Sequence, residues 1–381
     1  MGDRATTIDT QTYHVTATAT KPARFYRPEL DILRFFAFFA VYVTHSLSHN
    51  PEDWMRYHFP KIVAELMAAI ARSGRFGVTL FFLLSAYLIT SLLLREKSAT
   101  GDVSLGSFYI RRILRIWPLY FFVLALATAW PWTGRLPLSY LAWFLLLAGN
   151  WGLIILGSPY SWASILWSIS IEEQFYLSWP LAAKRFSRQA LLGSSVALIV
   201  LANLTRIYLA MRSPQLDLVW VNTFAQLDSF GAGIFCAILL NESVPRFSPA
   251  MRSLFGAIGF VLLIGCGHFE SEHRAFVIFG YPAGIAGCLL LFLAVYGLAV
   301  SFRPLVYLGK ISYGLYAYHM LALTLMGQAL GGRSGTPLRF LAFWGGGLII
   351  TLSLASLSYR WLESPFLRLK EHFAVIKSRP V

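Results

Sequence analysis

The run Tyr26-Arg27-Pro28-Glu29-Leu30-Asp31-Ile32-Leu33-Arg34, followed by ten mostly apolar residues and then His45, decides how the rest of the chain is read. It has the form of a helix passing into a membrane. Pro28 suits a first-turn position. From Leu30 to Leu47 the residues are almost wholly apolar, and Asp31, Arg34, Thr44 and His45 stand out against them. A step of eleven residues returns to within about 20° of the same helix face after a rise of about 16 Å. One face therefore carries a guanidinium near one membrane surface and an imidazole near the other. Asp31 lies one turn below Arg34 on a neighbouring line of that face. Each charge inside a span costs about 2.5–3.5 kcal/mol on insertion scales, so such residues point to function. The bland alternative is that Arg34 snorkels to the headgroups and His45 only marks the far interface.

Working outward, the composition supports the same class. The chain has 381 residues, 57% hydrophobic and 13% charged, with mean hydropathy +0.59. That is the profile of an all-α, polytopic transmembrane helical bundle. Cys236, Cys266 and Cys288 lie in apolar stretches without ligand spacing and read as packing residues. No zinc pattern, Walker loop or dinucleotide fingerprint is present, so no metal and no nucleotide fold is expected. The net charge of +14 fits cytoplasmic loops facing anionic lipid, not nucleic acid. Residues 1–25 are polar, rich in threonine and unlike a signal peptide, and are expected to form a disordered cytoplasmic tail. The transmembrane domain is expected over 26–366, and 367–381 as a second cytoplasmic tail.

Eleven apolar segments can be drawn between residues 30 and 361. Charge arbitrates which of them cross. If 137–156 dips in and returns, ten segments cross, both termini are cytoplasmic, and lysines and arginines divide 22 inside to 10 outside. If 137–156 crosses, the division becomes 15 inside to 17 outside. Ten spans with one re-entrant or interfacial segment is the better reading. Gly149-Asn150-Trp151-Gly152 fits such a segment if protein shields its backbone. Lys61 to Ala71 is expected to form an amphipathic piece of the first outer loop.

Four further segments carry chemistry. In Gly77 to Thr90, Ser85 and Thr90 are expected to bond back to helix carbonyls. Arg111 and Arg115 are four apart on one face, flanked by Arg112, and such a fork suits phosphates or merely sets orientation. The span from Trp167 places Glu172 and Glu173 side by side in its middle. They point about 100° apart, so one at most faces a given partner, and Arg34 is the natural candidate. Asp228, in a later span, is a weaker site of the same kind. Near the last part of the chain, Tyr316 and His319 share a helix face, and a histidine among aromatics is often only a bonded core residue.

In their order, these segments resemble the acyltransferase 3 family of integral membrane acyltransferases. The likeness rests on the arginine–ten–histidine helix, Phe-Phe-Leu-Leu-Ser ending at Ser85, Arg111-Arg112-x-x-Arg115, Trp167-Ser-x-Ser-x-Glu-Glu-Gln-Phe-Tyr176, Ile311-Ser-Tyr-Gly-Leu-Tyr316 and Glu363-Ser-Pro365. It covers Tyr26 to Pro365. The resemblance implies ten spans, an acyl-coenzyme A donor on the cytoplasmic side and a carbohydrate or other hydroxyl-bearing acceptor. It makes Arg34 and His45 the essential pair and Arg111, Arg112 and Arg115 the donor-contacting group. Ile32 and Ala86 stand where glycine is usual.

The expected function is O-acyl transfer, with acetyl as the acyl group, from acyl-coenzyme A to a glycan hydroxyl at a bacterial inner membrane. His45, Arg34, Glu172 and Glu173 are the catalytic candidates, with Asp31, Asp228, Tyr316 and His319 as substrate contacts. A competing reading is a secondary transporter or acyl-group export component that uses the intramembrane charges as a path. No internal repeat favours it.

Overall fold

The computed structural model describes residues 25–376 apart from 131–133, 213–215, 241–242, 270–272, 300–301 and 333–335. The tail expected over 1–25 therefore lies almost entirely outside the described residues, as does 377–381.

Among the described residues the chain is helical without strands. In order, the helices are α1 (Pro28–Ser46), α2 (Pro51–Met55), α3 (Lys61–Ser73), α4 (Phe76–Thr100), α5 (Leu105–Ala129), α6 (Leu138–Leu145), α7 (Gly149–Leu156), α8 (Trp167–Arg185), α9 (Arg188–Arg212), α10 (Leu227–Leu240), α11 (Pro249–His268), α12 (Tyr281–Val295), α13 (Arg303–Lys310), α14 (Ser312–Leu330), α15 (Pro337–Ser358) and α16 (Ser364–Glu371). Among the described residues, six segments are long and apolar enough to cross a bilayer: 61–100, α5, α9, α11, 276–295 and 337–371. α1, α8 and α14 carry more polar residues, and α10 is apolar but short. At 19 residues, α1, α8 and α14 are each about 28 Å long, close to a hydrocarbon core.

Burial sorts the helices into an inner and an outer set. α1 packs against α3, α4, α12, α13 and α14, so its charged face meets protein. α9, α11 and α15 leave most of their apolar surface uncovered, as expected of helices that face lipid. Small residues permit the closest approaches. A Cβ at Gly309 of α13 would overlap the Asp31 carbonyl of α1. Ala86 raises no such conflict: the glycine at its contact is on the facing helix. A Cβ at Gly233 of α10 would overlap the Leu83 carbonyl and press on the Ala86 methyl. The amphipathic piece is α3, which turns Ala64, Ala68, Ala69 and Ala71 inward and packs on α11 and α1.

The segment 137–156 is a helical hairpin. The Tyr140 hydroxyl, at the start of α6, donates to the carbonyls of Leu156 and Gly157 at 3.0 and 2.8 Å, so the chain returns to where it began. Eight residues per arm rise only about 12 Å, less than half of a bilayer core. Reversal needs Leu147 at φ 55°, an uncommon conformation for a residue with a Cβ. The tip then exposes backbone groups that hydrocarbon could not satisfy, and side chains supply the partners. The Tyr120 hydroxyl donates to the Phe144 carbonyl at 2.7 Å, Gln174 Nε2 to the Leu147 carbonyl at 3.1 Å, and the Gly149 N–H to Ser170 Oγ at 3.1 Å. Gln174 also holds Asn150 and Thr223, which locks the hairpin to α8.

The ends of α4 and α8 are tied in the same way. Lys97 Nζ donates to the carbonyls of Ala183, Lys184 and Phe186, which closes the C-terminus of α8. α16 runs from Ser364 to Glu371, across the boundary at 366, and packs on α5.

Candidate active site

Two cavities lie along the charged face of α1. The first, of about 130 Å³, opens beside the start of that helix. α1 contributes Asp31 and Arg34 to it, α5 contributes Arg112 and Arg115, α8 contributes Glu172 and Tyr176, and α16 contributes Lys370. Tyr26 and Arg27 stand at its edge. Five cationic side chains against two carboxylates make it a basic pocket with aromatic walls. The second cavity, of about 40 Å³, is lined by Ser168, Ser312, Tyr316 and Phe81. Arg34, Glu172 and Tyr313 line both, so they form the partition between them.

Local bonding sets how these side chains point. Arg34 Nε donates to Ser312 Oγ at 3.5 Å, and its guanidinium lies over the Phe81 ring at 5.8 Å. Glu172 Oε1 accepts from the hydroxyls of Ser85 and Tyr176. Glu173 is turned away, accepting from Trp117 Nε1 at 3.1 Å through Oε2. The 100° between adjacent helix positions thus divides the pair, and Glu172 faces the cavities. Asp31 accepts from the Tyr26 hydroxyl at 2.9 Å. Arg112 lies 5.5 Å from the ring centroids of both Phe108 and Tyr176, and its buried Nε has no partner among the described residues.

One turn beyond the second cavity, α1 and α14 meet at a pair of imidazoles. His45 Nδ1 is 2.9 Å from His319 Nε2, and His319 Nδ1 is 2.6 Å from the Tyr316 carbonyl oxygen. The Tyr316 hydroxyl is 2.7 Å from Ser168 Oγ and donates to the Ile165 carbonyl at 3.1 Å. Arg34, Glu172, Tyr316, His319 and His45 therefore follow one another along one polar seam through the bundle.

A sequence profile of the acyltransferase 3 family, described as an acyltransferase domain, matches residues 27–360. The chain belongs to this family. Among curated relatives, "Peptidoglycan O-acetyltransferase OatA" of Listeria monocytogenes is 28% identical over 389 residues, covering 91% of this chain and 56% of that protein. "Putative peptidoglycan O-acetyltransferase YrhL" of Bacillus subtilis is 29% identical over 374 residues, covering 89% of this chain and 55% of that protein. The chain thus spans little more than half the length of these relatives. No solved structure matches it.

Several placements depart from the sequence reading of this acyltransferase 3 chain, beginning with Glu173, read as catalytic, and His319, read as a substrate contact, which line neither cavity. Arg111 does not join Arg112 and Arg115 at the cavity: it pairs with buried Glu96 at 3.0 Å and donates to the Phe373 carbonyl at 2.8 Å. Asp228 does not reach either cavity, because it forms a buried ion pair with Arg206, which also donates to the Ala225 carbonyl at 2.9 Å. Ser85 does not bond back to its own helix but bonds Glu172. Thr90 likewise accepts from Trp179 Nε1 at 2.8 Å. Lys370, Ser312 and Glu96 were not singled out from sequence. Glu96 follows a basic residue at a helix end, which reads as ordinary surface charge, and Lys370 lies beyond the last apolar segment.

Proposed function

We propose that the chain is the membrane part of an O-acyltransferase that moves an acetyl group from acetyl-coenzyme A, bound at the cytoplasmic side, to a saccharide hydroxyl presented at the other side. The printed names of the relatives make peptidoglycan, or a glycan of the same kind, the acceptor class to test first. The observation that carries the reading is that Arg34 and Glu172 line both cavities. A basic mouth suited to phosphates thereby adjoins a seam that ends in a histidine pair. Arg112, Arg115 and Lys370 would hold donor phosphates through charge-assisted contacts, while the thioester arm runs inward past Arg34.

In the transfer, the acceptor oxygen forms a bond to the acyl carbon as the carbon–sulfur bond breaks. The hydroxyl proton passes to His45 and then to the departing thiolate, giving free coenzyme A. Direct attack uses only groups on this seam. The test is turnover of acetyl-coenzyme A by purified protein in the presence of a soluble glycan fragment. Donor exchange or transfer supports the enzyme. Retention of intact donor with movement of an ion or solute across vesicles supports the transporter alternative.

Replacing Arg112, Arg115 or Lys370 with Gln is expected to raise KM for acetyl-coenzyme A about tenfold or more, since a hydrogen bond to a charged group is worth about 1.5–3 kcal/mol. A truncated acetyl thioester without phosphates should be turned over unchanged by the same variants. Arg111→Gln should instead lower membrane abundance, because it strands the carboxylate of Glu96. Equal KM changes at all four positions would show that the mouth acts only through its net charge.

The hairpin reading of 137–156 gives ten crossings with both termini in the cytoplasm. Cysteines placed at the exposed positions Ser187 and Ser243 are expected to resist membrane-impermeant thiol reagents in intact cells and to react after permeabilisation. Labelling of both from outside would require 137–156 to cross.

A further inference from the structure

We infer that His319 is a positioning residue that fixes the tautomer of His45, so that His45 Nε2 is the nitrogen that accepts the acceptor's proton. This deepens the proposal above and rests on His45 being the base. The chain of bonds sets the protons one at a time. The Tyr316 carbonyl can only accept, so His319 Nδ1, 2.6 Å away, carries a hydrogen. His319 is fully enclosed, with the Phe38 ring edge-on at 6.1 Å and the Tyr316 ring at 5.5 Å. A second proton would be a charge buried among aromatic rings, which is costly. The neutral ring leaves Nε2 as an acceptor. His45 Nδ1, 2.9 Å from it, must then be the donor, and the lone pair of His45 sits on Nε2.

The consequence is the one that the orienting member of a catalytic triad provides, with a neutral acceptor in place of a carboxylate. His319 holds the ring of His45, sets which nitrogen is basic, and strengthens its bond as His45 becomes imidazolium. The two rings, 5.1 Å apart between centroids and tilted by 33°, come from helices 274 positions apart in sequence. The contact is thus a product of packing, and α14 acts on chemistry carried by α1.

His319→Phe keeps an aromatic ring but removes the acceptor. It is expected to lower kcat about 10²-fold, the low end of what a positioned base contributes, with KM for acetyl-coenzyme A changed less than about twofold on the same reasoning. His319→Gln restores an acceptor near the position of Nε2 and should recover activity to within about tenfold of wild type. Nitrogen-15 NMR of histidine-labelled protein should show His45 protonated at Nδ1 in wild type and in His319→Gln, and a mixture of tautomers in His319→Phe. Wild-type kcat in His319→Phe, or equal losses in the Phe and Gln variants with the His45 tautomer unchanged, would overturn the inference. So would an Nε2–H tautomer of His45 in the wild-type protein, a result that needs no variant to fold. Failure of the underlying reading is seen separately, as near-normal transfer by His45→Gln.

Discussion

His45→Ala is expected to lose acyl transfer by about 10²–10⁴-fold, the range a positioned general base contributes, while membrane abundance and acetyl-coenzyme A binding stay close to wild type. A sugar hydroxyl is a poor nucleophile until its proton is removed, and imidazole is the side chain whose ordinary titration lies near neutral pH. His45 stands eleven residues, about 16 Å, beyond Arg34, so the donor mouth is untouched by its loss. His45 is also partly exposed whereas His319 is enclosed, which leaves His45 as the member of the pair that a substrate can approach. His45→Gln should be as inactive as His45→Ala, because an amide is not a base at neutral pH. The measurement separates three quantities: protein in the membrane, donor bound, and acetylated product formed. Product at near wild-type rate from either variant would remove His45 from the chemistry and leave the seam with no base at its outer end.

Much of this arrangement was legible in the sequence because one physical signal dominates a membrane chain. Long apolar runs must be helices, and a charge within one is costly enough to mark itself, as Asp31, Arg34 and Glu172 did. Loop charge and the Gly149-Asn150-Trp151-Gly152 stretch favour a returning segment at 137–156 over a crossing, and the chain there does fold back, with Tyr140 bonded to the carbonyls of Leu156 and Gly157. What sequence could not give is the direction in which adjacent residues face. Arg111 and Arg112 differ by 100° on α5, and only the position of Glu96 on α4 decides that Arg111 is bound there while Arg112 lines the cavity. Partners remote in the chain were equally hidden. His45 with His319, and Arg206 with Asp228, depend on how helices pack, and no local period encodes that. Ser85 was read by the commonest role of a hydroxyl in a membrane helix, and its bond to Glu172 shows how a facing carboxylate overrides that local preference.

The partition between the cavities supplies the second large effect. Arg34→Gln is expected to lower transfer about 10²–10³-fold, as losing one preorganised group at a site of developing charge does. Glu172→Gln is expected to be the milder change, because an amide oxygen can still accept from Ser85 and Tyr176, whose hydroxyls converge on Oε1. The two residues line the same two cavities, and each charge is cheaper to keep in a low-dielectric bundle when the other is near. Their losses should therefore not add. In a double-mutant cycle scored on transfer rate, the Arg34→Gln, Glu172→Gln protein is expected to retain more activity than the product of the single losses, with a coupling of about 0.5–3 kcal/mol. Glu173→Gln supplies the control, since Glu173 faces Trp117 and not the cavities. Its effect should combine additively with that of Arg34→Gln. Additivity with Glu172 as well would mean that Arg34 acts on the donor alone, and that the carboxylate serves only to hold α4 and α8 together.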